Sequence, residues 1–173
     1  LKKNLVLTGM MGVGKSTVGK KLAEKLNLKF IDIDKIIEIK EKNTINRIFK
    51  NKGEPYFRKI EKKITLEELK KNNVVVALGG GAFLDVSIRK EIKNSCISFW
   101  LDLSTELLIT RLKKAKKRPL LNQNKLDQSI NKIYSERKNI YNESNFKINC
   151  NSIDKDEVVN KIMELYENSG NKI

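Results

Sequence analysis

The segment Gly9-Met10-Met11-Gly12-Val13-Gly14-Lys15-Ser16-Thr17 constrains this chain more than any other. It follows the apolar run Leu5-Val6-Leu7 and opens a helical pattern. It fits G-x-x-x-x-G-K-[ST], a phosphate-binding loop set between a strand and a helix. Glycines let the backbone curl so that successive N–H groups point inward at an anion. The helix that starts near Lys15 adds the positive end of its dipole. Gly12, Val13, Gly14, Lys15, Ser16 and Thr17 are therefore expected to bind nucleotide phosphates. Lys15 would reach the β- and γ-phosphates, and the Ser16 hydroxyl would ligate Mg²⁺.

The rest of the chain alternates between apolar runs and amphipathic stretches. Val18, Leu22 and Leu26 mark helix one over 15–26. Strand two is expected over 28–34, with Asp32 and Asp34 at its C-terminal end and on one face. That end of a parallel sheet is where ligands sit. Capping of the next helix is the competing reading for Asp34. Short helices follow over 35–42 and 44–50, the second capped by Thr44. Gly53-Glu54-Pro55 breaks the chain before a longer helix to about residue 71, on which Arg58 and Glu61 stand three apart and can pair. Arg58 taken alone reads as a solvated surface charge.

Val74 to Leu78 forms strand three and runs into Gly79-Gly80-Gly81. Three glycines directly after a buried strand would let a substrate approach main-chain N–H groups. Strand four covers 97–101, followed by Asp102, a weaker candidate for metal than the acids of strand two. The next helix ends near Arg111, and a basic run, Lys113-Lys114-Ala115-Lys116-Lys117-Arg118, leads to Pro119. About 113–125 is expected to act as a lid, with Arg118 neutralising phosphate charge. On the helix over 126–142, Arg137 shares a stripe with Ile130, Ile133, Tyr134 and Tyr141. A guanidinium on a core-facing stripe needs an acidic partner or an anionic ligand. Strand five covers 146–149, and a last helix starts at Asp154. Five strands alternating with helices predict a three-layer α/β/α domain around a parallel sheet.

Lys and Arg exceed Asp and Glu, 36 against 21, for a net charge of +15 over 173 residues, which favours anionic partners. The absence of histidine excludes imidazole catalysis. Cys96 and Cys150 lack metal-type spacing and read as reduced packing thiols. No run approaches a membrane span, and a soluble, cytoplasmic protein is expected. The lysines are scattered, and their one dense cluster has no aromatic neighbours, which disfavours a nucleic-acid-binding NTPase.

Taken in order, GMMGVGKST, Asp32-Ile33-Asp34, Phe57-Arg58 with Glu61, Gly79-Gly80-Gly81, Arg118-Pro119-Leu120-Leu121 and Arg137 with Tyr141 resemble the shikimate kinases, over about residues 4 to 166. That family belongs to the nucleoside-monophosphate-kinase-like group of P-loop folds. The resemblance implies a five-stranded sheet in the order 2-3-1-4-5. It also implies a substrate-binding subdomain near 35–62 and transfer of the ATP γ-phosphate to the 3-hydroxyl of shikimate. Asp34, Arg58, Gly80, Gly81 and Arg137 would hold shikimate. Lys15, the loop backbone, Arg111 and Arg118 would hold ATP. Ser16, with Asp32 through water, would hold Mg²⁺. Lys15, Asp34 and Arg118 would carry catalysis, in a protein expected to be a monomer with no nucleic-acid or membrane partner. The loop after strand five offers only Lys155 as a basic residue for adenine, a departure from the family pattern. A gluconate-type kinase of the same fold is the rival, since two arginines can also grip gluconate.

Overall fold

The computed structural model describes residues 3–114 and 125–170. Five strands, β1 (Asn4–Thr8), β2 (Lys29–Asp32), β3 (Val74–Ala77), β4 (Cys96–Asp102) and β5 (Phe146–Asn149), form one sheet in the order β2-β3-β1-β4-β5. All four pairings are parallel. β1 and β3 are buried along their whole length, as continuous apolar runs require when helices cover both faces of a sheet. The implied strand order is therefore the observed one.

Seven helices accompany the strands among the described residues: α1 (Lys15–Leu26), α2 (Ile33–Glu41), α3 (Ile45–Leu69), α4 (Val86–Ser95), α5 (Thr105–Lys114), α6 (Leu126–Tyr141) and α7 (Lys155–Asn168). α1 packs with α7, α3 with α4, and α5 with α6. α1 approaches β2 so closely that a side chain at Gly19 would meet the Phe30 ring. Both cysteines are buried and free, as expected.

One local expectation changes and another holds. β2 stops at Asp32, and Asp34 stands in the first turn of α2, so the two acids do not share a strand face. The cap is Asp32, whose carboxylate accepts a 3.3 Å hydrogen bond from the Lys35 amide, and not Asp34. An extended residue followed by an acid in the first helical turn satisfies the exposed N–H groups better than two more strand residues would. The break expected at Gly53 is present: within the span of α3 two helical stretches meet at a kink, where Gly53 has a non-helical φ of 80° and ψ of 168°. Glycine takes that conformation without a Cβ penalty, and Pro55 restarts the helix where no amide partner is needed. The short 3₁₀ turn Ala82–Leu84 after the glycine triplet adds an element that periodicity does not reveal.

Candidate active site

The phosphate loop joins β1 to α1 at the C-terminal edge of the sheet. Gly12 and Gly14 have φ of 80° and 107°, and Gly14 caps α1 in the left-handed region. The Thr17 and Val18 amides bond back to the Gly14 carbonyl at 3.1 and 3.0 Å, starting the helix. Lys15 is buried, and its Nζ donates to the Gly9 and Met10 carbonyls at 2.8 and 2.9 Å. Gly9 lies so close to β4 that a Cβ there would sit 2.5 Å from the Leu101 carbonyl oxygen.

Ser16, in the first turn of α1, and Asp32, at the C-terminal end of β2, meet beside the phosphate loop. The Ser16 hydroxyl donates to the Asp32 carboxylate at 2.6 Å. Two oxygen ligands beside a phosphate loop fit Mg²⁺, which typically takes one or two protein oxygens plus phosphates and waters. Among the described residues no cluster of three or more acidic, Cys or His side chains forms a protein-only metal cage. Asp102 is spoken for. It accepts from the Tyr134 hydroxyl at 2.9 Å and pairs with Lys147 at 3.0 Å. Burial, followed by that carboxylate, pushes the Tyr134 phenol up to about 12.

The glycine triplet organises the other half of the site. A Cβ on Gly79 would lie 2.7 Å from Asp34 Oδ1 and would collide with Glu61 Oε1. A Cβ on Gly81 would lie 2.6 Å from Arg58 Cζ. One on Gly80 would lie 3.4 Å from the Met11 amide nitrogen and 3.8 Å from Arg137 Nη1. Asp34, Arg58 and Arg137, from three different helices, thus converge on three consecutive residues beside the phosphate loop. The space expected for a substrate near main-chain N–H groups is partly taken by the protein's own charged side chains. At Gly80 the carbonyl is the group engaged: it accepts from Arg137 Nη1 at 3.0 Å and from the Tyr141 hydroxyl.

Arg58 is not the solvated charge that its sequence context suggests. It donates to Glu61 at 2.6 Å and to Glu54 at 3.1 Å, and its charge lies 5.3 Å from the centre of the Phe57 ring. Glu61 is 2% exposed, and its Oε1 has no hydrogen-bond partner among the described residues. Burial raises its pKa; Arg58 opposes this, and nearby Asp34 adds to it. Sequence reasoning found the Arg58–Glu61 pair but not the burial of the glutamate. Its position one turn from Phe57 and three residues before Ile64 was the available signal.

Beside the loop, an open cavity of about 410 Å³ is lined by Val13, Arg111, Cys150, Ile153 and Lys155 among others. Arg111 Nη1 donates to the Val13 carbonyl at 3.1 Å, so this sequence-selected residue does reach the phosphate loop. Lys155 lines the same cavity. Burial pushes the Cys150 thiol up to about 11, leaving it protonated. Arg118 and most of the expected lid lie outside the described residues.

Known proteins resemble this chain in sequence and in fold. The family model for shikimate kinase matches residues 11–167. A shikimate kinase of Sulfurihydrogenibium sp. (strain YO3AOP1) is 43% identical over 93% of this chain and 96% of its own. The structure of shikimate kinase from Acinetobacter baumannii in complex with shikimate superposes with a TM-score of 0.91 at 34% identity, covering 96% of this chain and 94% of that one. A gluconokinase from Sinorhizobium meliloti 1021 has a TM-score of 0.57 at 20% identity, a likeness of fold alone.

Proposed function

Because this chain belongs to the shikimate kinase family, we propose that its two converging arginines and its phosphate loop divide the reaction between them. The activity itself is ATP-dependent transfer of the γ-phosphoryl group to the 3-hydroxyl of shikimate, yielding shikimate 3-phosphate and ADP. It is a step of aromatic amino-acid biosynthesis.

Arg58 and Arg137 are assigned to the shikimate carboxylate. Guanidinium groups suit a planar carboxylate because their N–H donors form a fork. Both side chains border the glycine triplet, and that convergence carries the assignment. Asp34, beside Gly79, accepts hydrogen bonds from the ring hydroxyls and takes the proton of the attacking one. Gly80 and Gly81 form the wall against which the ring rests. Residues 35–62, which hold most of α2 and the kinked N-terminal part of α3, serve as the substrate-binding subdomain.

The nucleotide phosphates lie on the amides of Gly12 to Thr17, with Lys15 on the transferring group. Arg118 is assigned to the same phosphates on its sequence context. The base occupies the cavity between Arg111, Ile153 and Lys155. Ser16, with Asp32, would hold Mg²⁺, which supplies charge neutralisation on the β- and γ-phosphates. In the step, the substrate oxygen attacks phosphorus as the bond to the β-phosphate bridging oxygen breaks. Lys15 and the loop amides offset the charge that builds on ADP, so catalysis rests on positioning and electrostatics.

The protein is placed in the cytoplasm as a monomer whose partners are small anions. Pairing of surface lysines with acids, as in Lys21–Asp156, Lys52–Glu41 and Lys93–Glu143, breaks up the basic surface and speaks against a nucleic-acid partner. The test is coupled ADP release with shikimate and with gluconate, repeated with Arg137→Ala. The variant should raise the shikimate KM far more than the ATP KM. Equal changes in both would remove the carboxylate role from Arg137.

A further inference from the structure

The Gly80 carbonyl takes two hydrogen bonds from one helix. Arg137 Nη1 reaches it at 3.0 Å, and the Tyr141 hydroxyl reaches it from one turn further along α6. Tyr141 is fully buried. Its ring lies 5.9 Å from Trp100, and its hydroxyl 3.9 Å from Met10 Sδ in the phosphate loop. Burial holds its phenol above the ordinary value, so the hydroxyl stays a neutral donor wherever the enzyme works.

A glycine peptide has the loosest backbone of any residue, and one bond from a long flexible side chain would leave both partners mobile. A second donor on a rigid, buried ring removes that freedom.

We propose that Tyr141 is a positioning residue of the substrate site: its hydroxyl pins the Gly80 carbonyl at the point where Arg137 docks, which aims the remaining guanidinium donors at the substrate carboxylate. This inference rests on the assignment of Arg137 to that carboxylate. Of the five guanidinium N–H donors, the Gly80 bond uses one, and a fixed anchor for that one sets the direction of the others.

Tyr141→Phe tests it, because the change deletes one oxygen and keeps the ring packing. The shikimate KM should rise about three- to tenfold, the scale of one hydrogen bond. The ATP KM and kcat should change less than about twofold, since neither depends on that bond. In an Arg137→Ala background, the same change should leave the shikimate KM where Arg137→Ala alone put it. Equal rises in both KM values, or multiplicative effects of the two substitutions, would show that Tyr141 does not act through Arg137. An unchanged shikimate KM in Tyr141→Phe, beside a raised one in Arg137→Ala, would refute the Tyr141 role and leave the Arg137 assignment standing. An unchanged KM in Arg137→Ala would overturn both. Melting temperatures close to the parent's are expected for Tyr141→Phe, and a folding defect that tracks the kinetic loss would count against positioning.

Discussion

The Ser16 hydroxyl and the Asp32 carboxylate meet at 2.6 Å, although they stand sixteen positions apart in the sequence. The same carboxylate caps α2 through the Lys35 amide. One side chain therefore joins the metal-binding role proposed for it to a structural one, and the two can be separated by substitution. Asp32→Asn keeps a capping oxygen and removes the charge. It should raise the Mg²⁺ concentration needed for half-maximal turnover with little change in melting temperature. Asp32→Ala should do both, costing about 1 kcal/mol for the lost cap. Asp102→Asn, at a carboxylate already held by Tyr134 and Lys147, should leave the Mg²⁺ requirement as it was. A Mg²⁺ titration of ADP release reads all three.

Lys15→Met removes the ammonium but keeps much of the stem. Turnover should fall about a hundredfold or more, as when one electrostatic partner of a transition state is deleted. Circular dichroism should remain that of the parent. Near-parental activity would remove the phosphate-loop assignment.

The glycines make opposite predictions. Gly81→Ala places a methyl group against the guanidinium of Arg58, the far end of a flexible side chain. Arg58 should shift away from buried Glu61 at a stability cost of about 1–3 kcal/mol while the shikimate KM rises and nucleotide binding is kept. Gly9→Ala places its methyl 2.5 Å from the Leu101 carbonyl, at a φ of 131°. Backbone cannot swing aside, so this variant should lose stability and nucleotide binding together. Thermal melts with and without ATP distinguish the two.

Glu61 predicts a pH dependence. Its ordinary value is 4.5, and burial raises it in the folded state. The native state therefore holds this proton more tightly than the unfolded chain does. The resulting stability is complete below about pH 4.5 and is lost as pH rises through the folded value. Glu61→Gln mimics the protonated form at every pH. The stability of the parent relative to Glu61→Gln should thus be greatest in acid and decline as pH rises, as read by melts across that range. A gap that widens with pH would contradict the sign. Asp85 and Glu143, whose pKa values are lowered, act in the opposite direction in parent and variant alike. They cancel from the difference.

The phosphate loop was readable from sequence because its chemistry is local: nine contiguous residues carry the curl, the donors and the cation. The order of strands and helices was readable because buried strands and amphipathic helices have different apolar periods. Arg137 was marked by its place on an apolar stripe, since a guanidinium facing a core demands a partner. None of this says which partner. Phosphate chemistry, the alternation of elements and a short list of charged candidates are all written in local residue patterns. Tertiary structure decided that Asp34 stands on a helix, that Asp32 is the cap, that Glu61 is buried and that the glycine triplet is filled by Asp34, Glu61 and Arg58. Local periodicity assigns a residue to a face. Only the parallel sheet, by bringing the C-terminal ends of β1, β2 and β3 to one edge, brings side chains distant in sequence within hydrogen-bond reach.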